Sequence, residues 1–386
     1  MITILLIAFI QMPQFAILPA TNLIATVVFP DKSLQTIQTV MTMPGLVAVL
    51  AGVSAAMMVS FGFVSKKFMT VFGLSLVALT GVSAIFLNTR FWQLCLMNVF
   101  VGAGMGIFVP SSQSIMFDSF DEKTRQFISG ISFSCINTGG LVMSLLCGFL
   151  ITIVWYGGHL QMLIAIPVVI IACLVLPRDK RMRSADGNRV ARTRLPPSVL
   201  YFTFLIIIFM ILYNVATVNI STHLAQGGIG DSSTAGIASA LLMCGGVVVG
   251  LLFPRLSQVL RDYLFPLTFV VMAVGFTLMN LFPASLAITL IAMFLCGTTM
   301  SLLVPRCIFN VSNVSDPTNS AMATMLVCCV APGSGHFVSP IIMTNLTLAL
   351  GGQSTRFRFQ FTAFVCLALA LVLYVYTRAK ETSKKK

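Results

Sequence analysis

Residues 178–197 read RDKRMRSADGNRVARTRLPP, with seven Lys or Arg, two Asp and two Pro in one short stretch. The rest of the 386-residue chain is its opposite, since 58% of all residues are hydrophobic and only 9% are charged. A soluble domain carries charge on about a quarter of its residues. The polar stretch is therefore a loop, and the sequence on both sides of it belongs in a membrane.

Working outward, a helix needs about 20 apolar residues to cross a hydrocarbon core roughly 30 Å thick. Cutting the flanks where charge, Pro or Gly clusters interrupt such runs predicts six helices before the loop, near 3–29, 37–63, 68–88, 91–116, 126–150 and 157–177. Six more follow it, near 198–222, 233–254, 263–282, 284–311, 319–346 and 359–377. The runs are long and lack ten-residue alternation, so helices rather than barrel strands are expected. The reading is an all-α membrane protein with an N-terminal six-helix bundle over 1–177, a linker over 178–197, and a C-terminal bundle with a short basic tail over 198–386.

The net charge of +13 would point to nucleic acid in a soluble protein. Here it reports topology. Of 23 cations, 18 fall on the side of the 178–197 loop, only Lys32, Arg90, Arg356 and Arg358 fall opposite, and Arg306 lies inside a segment. The positive-inside rule then places both termini in the cytoplasm of a multi-pass cell-membrane protein, with no nucleic-acid partner. Met1 leads into the first apolar run without a basic leader, so that run is read as a retained span. All ten Cys fall inside predicted spans with no CxxC spacing, and neither disulfides nor a metal site are expected.

The two flanks repeat one another. An offset of 195 pairs Gly102 with Gly297, Pro110 with Pro305, Asp121 with Asp316, Gly140 with Gly335, and Ser144 with Ser339. The loop after the second span reads Gly62-Phe63-Val64-Ser65-Lys66-Lys67-Phe68-Met69, and the fourth span holds Asn98 through Gly102 and then runs from Pro110 through Asp118 to Arg125. With its six-plus-six plan the chain resembles the major facilitator superfamily of secondary transporters, of the bacterial twelve-helix type. In that family the loop usually reads G-x-L-x-D-R-x-G-R-R; here Lys66 stands for the acid and Met69 for the second Gly. The family's drug-antiporter run in the fifth span, G-x-x-x-G-P-x-x-G-G, has Met143 and Ser144 in place of Gly-Pro. The resemblance implies two halves that rock about a site near the bilayer midplane, with the first, fourth, seventh and tenth helices lining it.

Ionisable residues at membrane depth are costly and therefore informative. Every acid falls in a loop or near a span end, with Asp31 and Asp118 close enough to a cavity to couple transport to protons. Arg306 in the tenth span either faces the cavity, snorkels to the surface, or pairs with an acid such as Asp118. His336 in the eleventh span is either a proton carrier or a hydrogen-bonded packing residue. Uncharged polar residues follow helical spacing, which makes Gln14, Asn98, Gln113, Asn137, Tyr213 and Asn214 candidate substrate contacts beside Arg306.

These features favour a secondary active transporter for a small organic solute, anionic or amphipathic because the interior lacks carboxylates. The alternative within transport is a proton-coupled multidrug efflux antiporter. A membrane-embedded enzyme would need clustered His and acids, and His159, His223 and His336 fall in three different spans. A channel would need charged rings or a filter loop. No P-loop occurs, so ATP is not the expected energy source. No enzyme activity and no cofactor are expected, and the partners are a small-molecule substrate and the lipid bilayer, with the chain acting as a monomer.

Overall fold

A computed structural model describes residues 2–60, 63–119, 122–176, 196–314, 323, 325–352 and 354–385. In chain order the long helices are α1 (Ile2–Val28), α2 (Leu34–Ser60), α3 (Lys66–Phe86), α4 (Phe91–Ser119), α5 (Glu122–Leu150) and α6 (Gly157–Val175). They continue with α7 (Pro197–Gln226), α8 (Ser232–Leu260), α9 (Leu264–Leu281), α10 (Leu286–Val314), α11 (Leu326–Ala349) and α12 (Thr355–Lys385). Asp121, Asp316 and most of the 178–197 loop lie outside the described residues, as do the side chains of Asp118 and Arg125.

Eleven helical runs among the described residues are long and apolar enough to cross a bilayer. One of them, Ser232–Leu281, is 50 residues long. A continuous helix of that length would measure about 75 Å, more than twice a bilayer core. The run is broken at Arg261, whose φ of 47° and ψ of −123° leave helical space and separate α8 from α9. The twelve-helix count rests on reading this run as two crossings. Below, the end of the bundle shared by the two chain termini is called the near end, and the opposite one the far end.

α7 is an unbroken helix of 30 residues, whereas α1 is not. Its first helix stops at Phe9, a second begins at Pro13 after Met12 leaves helical geometry (φ −119°, ψ 41°), and 3-10 and π turns follow. Pro13 and Pro19 each remove a backbone donor and clash with the preceding turn, which is why the interruption falls there. α11 likewise opens on a π segment, Leu326–Val330.

The 195-residue repeat is visible as packing. A Cβ on Gly102 of α4 would meet the Pro44 carbonyl of α2, and one on Gly297 of α10 would meet the Leu242 carbonyl of α8. Gly140 of α5 faces Met243 of α8 and, a little further off, Met12 of α1, while Gly335 of α11 lies against Met210 of α7, so the match is closest at Gly102 and Gly297. Between the halves, Gly148 faces Gly236 across α5 and α8, and Gly45 faces Gly333 across α2 and α11. Lipid supplies no hydrophobic drive between helices, so such backbone approaches carry the packing.

Gly297→Ala, which would drive a methyl into the Leu242 backbone, is expected to destabilise the protein by about 1–3 kcal/mol. Gly250→Ala, where a Cβ would find only Ser301 Oγ at 3.8 Å and Ser134 Oγ at 4.0 Å, is expected to be neutral. Melting curves of the two purified variants against the parent check both.

Candidate functional site

At mid-depth, where the interruption of α1 meets α7 and α11, His336 is fully buried. Its Nδ1 lies 2.6 Å from Asn214 Oδ1, its ring packs edge-on to Phe15 with centroids 5.0 Å apart, and its Cβ and Cδ2 abut the Gly45 backbone. The contact joins α11 and α7 of the second half to α1 and α2 of the first. Asn214 Nδ2 donates to the Met210 carbonyl at 2.6 Å, which turns Asn214 Oδ1 towards the ring. An amide oxygen can only accept, so Nδ1 carries the hydrogen and Nε2 of the neutral ring keeps its lone pair. Nε2 has no partner among the described residues.

Other polar groups near this depth are also incompletely used. Gln14 is buried beside Phe15, and its Oε1 has no partner among the described residues. Tyr213 is buried between Phe15 and Phe209, at centroid distances of 6.2 and 5.5 Å. Asn137 of α5 donates to the Phe133 carbonyl and turns its Oδ1 towards Gly246 of α8, whose own carbonyl accepts from Ser301 Oγ of α10 at 2.7 Å. Ser339 Oγ donates to the Ile211 carbonyl of α7, but its repeat partner Ser144, packed in the half where α1 is broken, finds none. The structure thus brings Tyr213, Asn214 and His336 around one junction with Phe15, whose chain neighbour is Gln14, and puts Asn137 at a second contact between the halves.

Of the alternatives for Arg306 the structure shows pairing with an acid, Asp262 in place of Asp118: Nη2 donates to Asp262 Oδ1 at 2.9 Å and Nη1 to Ser257 Oγ at 3.1 Å. Asp262, in the turn that separates α8 from α9, also accepts from Lys380 of α12 at 3.3 Å. Burial works to raise the Asp262 carboxyl, but the hydrogen bonds and charges of Arg306 and Lys380 outweigh it and hold it below the ordinary carboxylate range. A guanidinium so engaged, on the near-end side of α10, is no free counter-charge for a solute. Three other expectations are corrected. Asn98 and Gln113 cannot share one site, because 15 residues of helix separate them by about 22 Å. Asp31 sits on the far-end surface in an ion pair with Lys32 at 2.9 Å, whose hydrogen bond lowers its carboxyl. Asp118 cannot be placed at the junction, its side chain lying outside the described residues.

The last correction is Arg358, expected in a loop. α12 begins at Thr355, four residues ahead of the expected start, which puts Arg358 in the first turn at 7% exposure. Its Nη1 donates to Asn219 Oδ1 of α7 at 2.9 Å, and the same oxygen accepts from Gln38 Nε2 of α2 at 3.1 Å. Two further hydrogen bonds join the halves near this end, from Asn22 N to Ser221 Oγ at 3.3 Å and from Gln35 Nε2 to Asn345 Oδ1 at 3.4 Å. Beside them a cavity of about 380 Å³ is lined by Asn22, Thr26, Leu34, Thr222 and Gln226 among others. No group of three metal-binding side chains occurs among the described residues.

If Arg306 and Asp262 work as a pair, Arg306→Gln and Asp262→Asn will each destabilise the protein, and the double variant will lose less than their sum, with a coupling of about 0.5–3 kcal/mol. Additive losses in melting experiments would mean that the pair is incidental.

Solved structures share this architecture. A POT family transporter aligns with a TM-score of 0.75 at 11% identity, covering 98% of each chain. A human organic anion transporter aligns at 0.70 with 14% identity over 96% of this chain and 98% of its own. A bacterial homologue of the human lysosomal transporter Spinster, inward-facing and occupied, gives 0.70 and 15% over 98% and 96%. At such identities the likeness speaks for the fold alone. No curated protein matches by sequence. The sequence profile of the Major Facilitator Superfamily matches residues 2–331, nearly the whole chain, and with it the chain belongs to that superfamily of transporters.

Proposed function

We propose that this transporter moves a small organic solute across the cell membrane by alternating access, with residues 1–177 and 198–386 as the two rocking units and 178–197 as their cytoplasmic tether. The 18-to-4 split of cations supports placing the near end, with both termini, in the cytoplasm. The far end is then external, and the hydrogen bonds from Gln38, Asn22 and Gln35 to the second half hold it closed.

The observation that carries the reading is the junction of the broken α1 with His336 and Asn214. Interrupted helices at the midplane are where transporters of this kind bind solute and coupling ion. Gln14 Oε1, an acceptor, and His336 Nε2, a lone pair, are both buried without a partner among the described residues, one on α1 of the first rocking unit and the other on α11 of the second. In this reading Gln14, Tyr213 and Asn214 contact the solute and Asn137 lines the neighbouring seam. His336 takes the coupling proton on Nε2. The elements packed against it present Phe15, Gly45 and Asn214, none of them ionisable, so its charge would change unopposed when it binds a proton. An anionic or amphipathic solute suits an interior without mid-span carboxylates, and symport or antiport both fit the geometry.

Purified protein in liposomes, loaded with candidate solutes and given an imposed pH gradient, tests this. Transport by the parent should respond to the gradient; His336→Gln should keep solute exchange while losing the gradient response. A gradient response unchanged in His336→Gln would remove the coupling role, and no exchange of any solute by the parent would remove the junction as the binding site.

A further inference from the structure

Arg358 is the outlier in the electrostatics of this protein. A buried guanidinium without a carboxylate is costly, and most such groups are paired. Of the acids placed near this end, Asp31 is held by Lys32 and Asp231 caps α8 through Thr234. The others, from Asp118 onward through Asp262 to Glu381, belong by chain position to the near end. Arg358 is left with one neutral acceptor, Asn219 Oδ1, and its Nε has no partner among the described residues.

A cavity lies next to it rather than around it: Arg358 is not one of the lining residues, but Thr355, one turn earlier on α12, donates to Gln226 Oε1 of the cavity wall at 2.6 Å. Asn219 and Thr222 lie one turn apart on α7, and Thr222 lines the 380 Å³ cavity with a buried hydroxyl that has no partner among the described residues. Asn22, Thr26 and Gln226 add polar groups to the wall, and Ala25, Leu34 and Ala225 an apolar side. Unpaired donors with a formal charge and no counter-charge call for an acceptor bearing one negative charge. Of the other far-end cations, Lys32 is held by Asp31 and Arg356 by Asn280, while Arg90 is exposed just ahead of α4.

We propose that Arg358, with Thr222, forms an external recognition site for a monocarboxylate, and that the arriving carboxylate draws Arg358 away from Asn219. Asn219 is also where Gln38 ties the first half to the second, so binding loosens one bond of the external closure as it fills the vestibule. The proposal rests on the transporter reading for its purpose, and it names the class of solute that such a transporter takes.

Binding to the full-length protein in detergent tests it, with benzoate as probe and benzamide and benzylamine as its neutral and cationic counterparts. Benzoate alone should bind, read by thermal stabilisation. Arg358→Gln should weaken benzoate binding by at least about ten-fold. Arg358→Lys, which keeps the charge and guards against misfolding of the first variant, should retain a preference for benzoate over benzamide. Asn219→Ala, which frees Arg358 from its neutral partner, should tighten binding by several-fold, a gain that a purely structural arginine would not give. Equal binding of benzoate and benzamide, no binding of benzoate to the parent, or full benzoate affinity in Arg358→Gln would overturn the site. Any of these results leaves transport in liposomes as a separate question, so the two readings fail independently.

Discussion

Inside a bilayer no water is available for the backbone, so every peptide N–H and C=O must find its partner within the protein. The rest of this structure depends on that constraint. It makes the apolar runs helical, and it means that a helix can break only where neighbours cover the gap. α1 breaks against α5, α7 and α11, in the middle of the protein rather than on its lipid face. The other sharp break, at Arg261, falls at the near-end surface, where water and the side chain of Asp262 are within reach. The location of each irregularity is thus set by what can satisfy it.

Packing follows from the same environment. Since lipid is as apolar as leucine, helices gain by close approach more than by burying greasy surface. Gly102 and Gly297 do this inside the halves, and Gly45 with Gly333 does it between them. The hydrogen bonds that join the halves among the described residues are neutral, as suits a contact that parts in the proposed rocking cycle. The ionic contacts lie elsewhere: Arg306, Asp262 and Lys380 tie α10, the α8–α9 turn and α12 together within one half.

Much of this was legible in the sequence. Length and hydropathy placed each helix, with ends off by up to eight residues at the close of α12, because the bilayer imposes a similar length on all of them. The 195-residue offset found packing equivalents at Gly102 and Gly297 because a repeat keeps its tightest contacts. Partners were not legible. Arg306 was separated from Asp262 by 44 residues and a helix reversal, and hydropathy carries no signal for which acid a cation meets. Arg358 was missed because a start four residues off turns a loop cation into a buried one. The break in α1 was signalled by Pro13 and Pro19, which hydropathy alone had absorbed into one apolar run. Gln14, Tyr213, Asn214 and His336 stand out in the sequence as polar positions in apolar helices, but Asn98 and Gln113 show that a shared helical face says nothing about depth.

If His336 carries the coupling proton as proposed, the orientation of Asn214 limits the path that proton can take. The hydrogen on Nδ1 of His336 is committed to the Asn214 amide, whose own geometry is fixed by the Met210 carbonyl. A proton arriving at the ring can be taken only at Nε2, and it must leave by the atom through which it came. The imidazole is therefore a terminus rather than a wire, and it cannot leak protons down a gradient by accepting on one nitrogen and releasing from the other. A change in the side of the membrane to which that proton returns has to come from movement of the helices around it.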